Sequence, residues 1–225
     1  MEEGDIFMKV HSIFMSINGE VCQPHQGSLT TFVRLFGCNC RCKFCDSKFS
    51  YEGPFVNMKV GDIVREVKKL NCKNVTITGG EPLVQKGTIN LITDLLLESF
   101  NVSVETNGTI FIPYGAAHWI ADYKLPSSGC ESQMEIENYR NLKEGDFIKF
   151  VVSDRKDFER ALEVIPLIKK MFLLNYSHAF IKFAFSPVFG EGPQAMLVEW
   201  MLAEQSLKDM GAVFNLQIHK IIGVL

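Results

Sequence analysis

The chain has 225 residues, of which 47% are apolar and 22% charged, and its formal charge is −3. That length and balance specify a folded domain with a substantial core and exclude a disordered chain. The slightly negative charge offers no footprint for nucleic acid or an anionic membrane, and the apolar run Ile89–Leu97 is too short to span a bilayer.

The pattern reads as one domain spanning 1–225, with residues 1–7 as an N-terminal extension, polar at Met1–Asp5. Ile6–Asn18 alternates apolar and polar residues and closes in Asn18-Gly19-Glu20, a strand and tight turn. Leu29–Phe36 is apolar and β-branched apart from Arg34, the pattern of a buried strand. Asp62–Leu70 sets Ile63, Val64, Val67 and Leu70 at helical spacing. Strands are predicted at Asn74–Thr78 and Asn101–Glu105, with a helix at Thr88–Glu98 between them. Further strands are predicted at Trp119–Tyr123, Asp146–Val152, Phe180–Phe185 and Ala212–His219. Helices are predicted at Glu135–Leu142, Asp157–Lys169 and Pro193–Met210. Alternating strands and helices specify α/β architecture with a parallel sheet. About six such units cannot close an eight-fold barrel, so the expected fold is a partial, open (β/α) barrel. Polar or glycine-rich motifs end successive strands, where active sites of such sheets lie.

Four of the seven cysteines fall in the stretch Cys38-Asn39-Cys40-Arg41-Cys42-Lys43-Phe44-Cys45. Cys38, Cys42 and Cys45 stand in a C-x3-C-x2-C spacing, with an aromatic before the last. Three such thiolates hold three corners of a 4Fe–4S cluster and leave one iron open for a small molecule. Cys40 admits another register, in place of Cys38 or Cys42, which spacing does not exclude. A zinc knuckle wants two separated ligand pairs, whereas Cys22, Cys72 and Cys130 are scattered singly. A disulfide framework requires an oxidising compartment, and no signal peptide is recognisable; dense free thiols are expected in the cytoplasm.

Thr78-Gly79-Gly80-Glu81-Pro82 follows a predicted strand. Two glycines allow backbone to approach a ligand, and the carboxylate can accept from an ammonium group, although a Gly-Gly pair alone is most often a turn. With this motif after the cysteine loop, the chain resembles the radical S-adenosylmethionine (SAM) enzymes. The resemblance implies that Cys38, Cys42 and Cys45 hold a 4Fe–4S cluster whose fourth iron is chelated by SAM. It also implies SAM contacts from Phe44, Asp46, Gly80, Glu81, Asn107, Asp122, Tyr123, Lys124 and Ser186, and a reductant such as flavodoxin or ferredoxin. As isolated residues, Asn107 with Gly108 is equally a turn and Lys124 a solvated lysine.

The flanks narrow the resemblance. Ser16-Ile17-Asn18-Gly19-Glu20, Phe32-Val33-Arg34-Leu35-Phe36-Gly37, Cys45-Asp46-Ser47 and Gln217-Ile218-His219-Lys220 together resemble the 7-carboxy-7-deazaguanine synthase family, from about Met8 to Leu225. Family membership would imply a homodimeric lyase of queuosine and deazapurine biosynthesis. It would convert 6-carboxy-5,6,7,8-tetrahydropterin to 7-carboxy-7-deazaguanine and ammonia, with Mg2+ and regenerated SAM. Asn18 stands where that family usually has Gln and Val21 where it has Gly; Thr is frequent in place of Ser47 or Ile218.

The residues suit this chemistry individually. Arg34 is a lone charge in an apolar strand, fitted to a substrate carboxylate or else to a structural salt bridge. Ser47 offers one hydroxyl to Mg2+, or caps a helix. Glu20 with the Ile17, Asn18 and Gly19 backbone suits a donor-rich pterin edge, or forms a hairpin turn. Thr78 donates to substrate or ends its strand. His219, on the last predicted strand, and the carboxylate of Leu225 are expected at the same pocket. The rivals are another radical SAM enzyme, such as a glycyl-radical activase, and a zinc-stabilised module without catalysis.

Overall fold

The computed structural model describes residues 6–174 and 181–224. A short antiparallel start leads into a parallel run. Strand β1 (Phe7–Ile17) pairs antiparallel with β2 (Leu29–Leu35) and with β3 (Val56–Lys59). Parallel pairing then continues through β4 (Asn74–Gly79), β5 (Asn101–Thr106), β6 (His118–Tyr123), β7 (Phe147–Val152), β8 (Lys182–Pro187) and β9 (Val213–Phe214). The order is β3-β1-β2-β4-β5-β6-β7-β8-β9, and β3 and β9 remain edges. This is the open, partial barrel expected. Among the described residues, no helix is long and apolar enough to cross a membrane.

Side chains alternate between the faces of each strand, and the two faces differ in chemistry. One carries Val33, Leu35, Val75, Ile77, Val102, Val104, Ile148, Phe150, Phe183 and Phe185, all in the main apolar core. Helices α2 (Val60–Lys69), α3 (Thr88–Leu97) and α4 (Arg155–Leu174) bury Ile63, Val67, Leu91, Leu95, Phe158, Val164 and Ile168 against it. Burying such a side chain contributes about 1.5–3 kcal/mol. Residues of the other face line the barrel interior, where Ile120, Phe147 and Ala184 form a small apolar plug with Val21 and Cys22.

The structure corrects several expectations. Helix α4 is longer than predicted and runs through Pro166, whose neighbours Ile165 and Ile168 are buried. Glu135–Leu142 forms no α-helix; only Ile136–Tyr139 makes a 3-10 turn. Its groups bond outward instead: Asn138 O accepts from Ile112 N (3.0 Å), Asn138 Nδ2 donates to Gly108 O (3.1 Å) and Tyr139 OH to Asp122 O (2.7 Å). The crossovers β5–β6 and β6–β7 therefore lack α-helices. Pro193–Met210 splits into α5 (Gln194–Ala203) and α6 (Gln205–Asp209) at Glu204, which is extended, and Leu207 turns into the core.

The predicted strand Ala212–His219 shrinks to β9. Asn215 N still donates to Phe185 O of β8 (2.8 Å), and its buried side chain donates to Ser186 Oγ (2.6 Å) and accepts from Val21 N (2.9 Å); beyond it the chain leaves the sheet. His219 thus lies on α7 (Ile218–Ile222) rather than on a strand. The segment α1 (Phe49–Glu52) and strand β3 were not predicted. Ile6 packs on the core and Phe7 opens β1, so both belong to the fold rather than to an N-terminal extension. Phe180 and Leu225 lie outside the described residues.

Candidate active site

The inward face turns polar at the carboxyl ends of the parallel strands. Arg34 is in register with Thr78, Asp122 with Lys149 and Val151 with Ser186; Thr78 Oγ1 donates to Glu105 Oε2 on the next strand (2.6 Å). All of these line one cavity of about 320 Å³, together with Cys38, Cys42, Phe44 and Cys45. The same two-residue alternation sends Tyr123 the other way, to pack on Tyr139 and Phe150 at centroid distances of 6.2 and 6.0 Å.

The cysteine loop and the glycine turn are held against each other by backbone. Glu81 N donates to Gly37 O (2.8 Å) and Gly80 N to Leu35 O (3.2 Å). A Cβ on Gly80 would stand 2.1 Å from Gly37 O, and one on Gly79, at φ +131°, 2.0 Å from Leu35 O. Both positions accept only glycine. Glu81 is fully buried and accepts from Leu83 N (2.9 Å), Thr106 Oγ1 (2.8 Å) and Asn107 N (2.6 Å). Its carboxylate therefore braces the loop from behind the cavity wall, and burial raises its pKa.

Two donors point at the Cys38 sulfur, Cys40 N at 3.4 Å and Asn107 Nδ2 at 3.8 Å. Burial outweighs them and raises the Cys38 thiol. Hydrogen bonding from Cys40 pulls the Cys42 thiol down to about 6, with help from the Lys124 charge. Three thiols on one wall, with amide donors at one sulfur and a lysine beside another, suit the thiolates that a 4Fe–4S cluster requires. Asn107 also bonds Asn39 Oδ1 (2.9 Å), which fixes the loop after β5 to the cysteine loop.

Among the described residues the wall carries four cations and four carboxylates, mostly paired. Lys149 Nζ lies 2.6 Å from Glu20 Oε2 and 3.2 Å from Asp122 Oδ1, and Lys124 Nζ lies 2.6 Å from Asp122 Oδ2. Lys220 pairs with Asp46, whose other oxygen accepts from Ser47 Oγ at 2.9 Å. Burial would lower Lys149 and raise Asp122, but their mutual charges, with Glu20 and Lys124, hold both ionised. Among the described residues, Arg34 and Glu105 are in no direct ion pair. Burial lowers the Arg34 pKa, and its Nε is buried without a partner while the guanidinium sits 5.0 Å from the Phe14 ring and 5.1 Å from that of Phe49. Burial and the Glu20 charge raise the Glu105 carboxyl.

The C-terminal segment closes the cavity. Ile218 N donates to Gly19 O (2.9 Å), and a Cβ on Gly19 would stand 1.7 Å from His219 Nδ1. Among the described residues His219 Nδ1 is buried without a partner, and burial lowers its pKa, so the neutral imidazole is favoured at pH 7. Glu20 accepts from Gln217 Nε2 (2.8 Å) as well as from Lys149 and Asn215, so it is already engaged within the protein.

Of the residues singled out from sequence, Ile17, Gly19, Glu20, Arg34, Thr78, Gly80, Asn107, Asp122, Lys124, Ser186, His219 and the loop Cys38–Ser47 meet at this cavity. Asn18, Glu81 and Tyr123 stand outside its wall. Asn18 is buried behind it, its Oδ1 accepting from Thr76 Oγ1 at 2.9 Å and its Nδ2 unpartnered. Sequence reasoning missed Glu105 and Lys149, and it quoted Gln217 and Lys220 only as motif neighbours of His219, with no site role of their own. The signal for Lys149 was available: it is a lone charge in Phe147-Ile148-Lys149-Phe150, the pattern that singled out Arg34.

A profile of the radical SAM superfamily matches residues 33–176. The 7-carboxy-7-deazaguanine synthase of Clostridium acetobutylicum is 38% identical over 222 residues, covering 95% of each chain. That of Koribacter versatilis is 35% identical over 227 residues, covering 96% of each. The crystal structure of QueE from Escherichia coli superposes with a TM-score of 0.73 over 93% of both chains at 18% identity. Streptococcus suis SuiB bound to S-adenosylmethionine gives 0.56 over 80% of this chain and 48% of its own, at 16% identity. These two likenesses are of fold.

Proposed function

The chain belongs to the radical SAM superfamily and, within it, to the 7-carboxy-7-deazaguanine synthases, and we propose that it contracts 6-carboxy-5,6,7,8-tetrahydropterin to 7-carboxy-7-deazaguanine with release of ammonia. The whole chain acts as one catalytic domain. Cys38, Cys42 and Cys45 hold the 4Fe–4S cluster; bound with SAM, it supplies the one-electron chemistry that removes a hydrogen atom from the substrate. Lys124, Asn107 and Ser186 bind SAM from the strand ends, and the Gly79-Gly80 turn offers backbone to it with no side chain intervening. The protein works as a cytoplasmic homodimer reduced by a flavodoxin- or ferredoxin-type carrier.

The observation that carries the substrate assignment is Arg34. A half-buried guanidinium with an orphaned Nε and no carboxylate in ion-pair contact among the described residues lacks the structural salt bridge that would otherwise explain it. A substrate carboxylate supplies the missing partner, and the planar fork suits it. Neutral His219 and the Glu105 carboxyl line the same cavity and present hydrogen-bonding groups to the heterocycle. Phe32 and Val188 give it apolar walls that exclude water.

Replacing Arg34 by Ala is expected to weaken binding of 6-carboxytetrahydropterin by about 2–3 kcal/mol, on the order of 30- to 150-fold. SAM affinity is expected to stay within about twofold. Equilibrium binding of each ligand checks this, and equal losses for both would mark Arg34 as a scaffold residue.

Ser47 holds Mg2+ in this reading, its hydroxyl turned to Asp46 and its side chain on the cavity wall. Ser47→Ala is expected to raise the Mg2+ concentration for half-maximal turnover about tenfold, in line with the loss of one ligand-shell contact. An unchanged Mg2+ titration would remove Ser47 as a ligand.

A further inference from the structure

A second thiol group lies where the cluster loop meets the loop after β6. Cys42 Sγ is 3.8 Å from Cys130 Sγ. Cys130 is 2% exposed, whereas Cys42 faces the cavity. The two loops are tied by Lys43 N donating to Ser128 O (3.1 Å), and Cys130 N is held by Ser128 Oγ (3.0 Å). The neighbouring Cys40 bonds Asn107 Nδ2 at 3.5 Å and Gln133 Oε1 at 3.9 Å, and its thiol also interacts with those of Cys42 and Cys130, which makes it the competing partner.

We propose that Cys42 and Cys130 form a reversible disulfide in the cluster-free chain, with a low-molecular-weight disulfide as oxidant. The sulfurs need approach by less than about 2 Å to reach bonding distance, within the reach of side-chain rotation. Cys42 is met first because it faces the cavity. Its sulfur attacks the small disulfide, forms a mixed disulfide and expels one thiolate with its electron pair. Cys130 then attacks the Cys42 sulfur and expels the second thiolate. The two protein thiols give up two hydrogens, and the oxidant leaves as two thiols.

The consequence for cluster loading rests on Cys42 being a cluster ligand. In the disulfide, Cys42 is withheld from iron and protected from the irreversible steps of thiol oxidation. Reduction of the bond then becomes a precondition for cluster assembly.

The test uses the full chain, stripped of iron by a chelator, reduced, and exposed anaerobically to oxidised glutathione. Free thiols are then alkylated and the chain is cut with trypsin without reduction. Cuts after Arg34, Arg41, Lys43, Lys48, Lys124 and Arg140 place Cys42 in 42–43, Cys38 and Cys40 in 35–41, Cys45 in 44–48 and Cys130 in 125–140. The expected product is a 42–43 peptide joined to 125–140, two hydrogens lighter than the sum and released by dithiothreitol. In Cys130→Ser, with an unchanged circular dichroism spectrum, Cys42 is expected to retain glutathione instead. Iron uptake by the oxidised wild-type chain is expected to fall severalfold and to recover on reduction. Cys130 joined to 35–41, or alkylated Cys130 with Cys42 joined to 35–41 or 44–48, would overturn the pairing. Formation of the pair with undiminished iron uptake would overturn Cys42 as a required ligand and leave the disulfide standing.

Discussion

Alanine at Cys38, Cys42 or Cys45 is expected to reduce SAM cleavage to background and to remove the visible absorbance of the iron-loaded protein. Alanine at Cys40 is expected to leave both. All four cysteines lie at the cavity, so proximity alone does not separate them. Their surroundings do. The Cys40 thiol is 2% exposed, its pKa is pushed up first by hydrogen bonding to Cys42, and its backbone N–H donates to the Cys38 sulfur. A residue that supports a neighbour's sulfur while burying its own is a poor thiolate. Loss of a cluster ligand removes cofactor and reaction together, so iron content and cleavage should fall in parallel. An inactive Cys40 variant beside an active Cys38 variant would require the other register. Circular dichroism of each variant separates lost iron from lost fold.

Lys149→Met carries the largest expected cost in stability, about 3–5 kcal/mol, because it leaves buried carboxylates without their shared cation. Its ammonium bridges Glu20 and Asp122, with side chains only 10–15% exposed, and also offsets the Glu105 charge. Equilibrium urea unfolding measures the loss; a change below about 1 kcal/mol would mean that solvent already screens the network. The network also predicts a pH response. Asp122 is held below the ordinary carboxylate range, since Lys124 and Lys149 outweigh its burial. A carboxyl depressed in the folded state contributes stability above its unfolded pKa of about 3.9 and loses it as pH falls through the folded value. Without Lys149 the depression shrinks, so the gap between folded and unfolded pKa narrows. Unfolding of Lys149→Met should therefore depend less on pH, as pH falls below about 4, than that of the wild type.

Much of this was legible in the sequence because it rests on short-range patterns. Leu29–Phe36 and Asn74–Thr78 were legible to within a residue or two, since both are rich in β-branched residues and bounded by turn signals. The cysteine spacing and the Gly-Gly turn mark two walls of the cavity from local sequence alone. What escaped depends on distant partners. Glu135–Leu142 has a helical composition, but its Asn138 and Tyr139 bond to a loop some 30 residues earlier and to the end of β6. Beyond Asn215, whose side chain is held by Ser186 and Val21, the chain leaves the sheet, and His219 lies on a helix. Glu81 shows the converse. Its motif was recognised, yet the structure turns the carboxylate into the loop, a placement that only the fold reveals.

An anaerobic assay of the iron-reconstituted chain with SAM, a strong reductant, Mg2+ and 6-carboxytetrahydropterin, following product mass over time, decides substrate and reaction together. Steady formation of 7-carboxy-7-deazaguanine with little net consumption of SAM is expected. Cleavage of SAM to 5′-deoxyadenosine without that product would contradict the substrate assignment, and a cluster-loaded protein that yields neither would contradict the catalytic one.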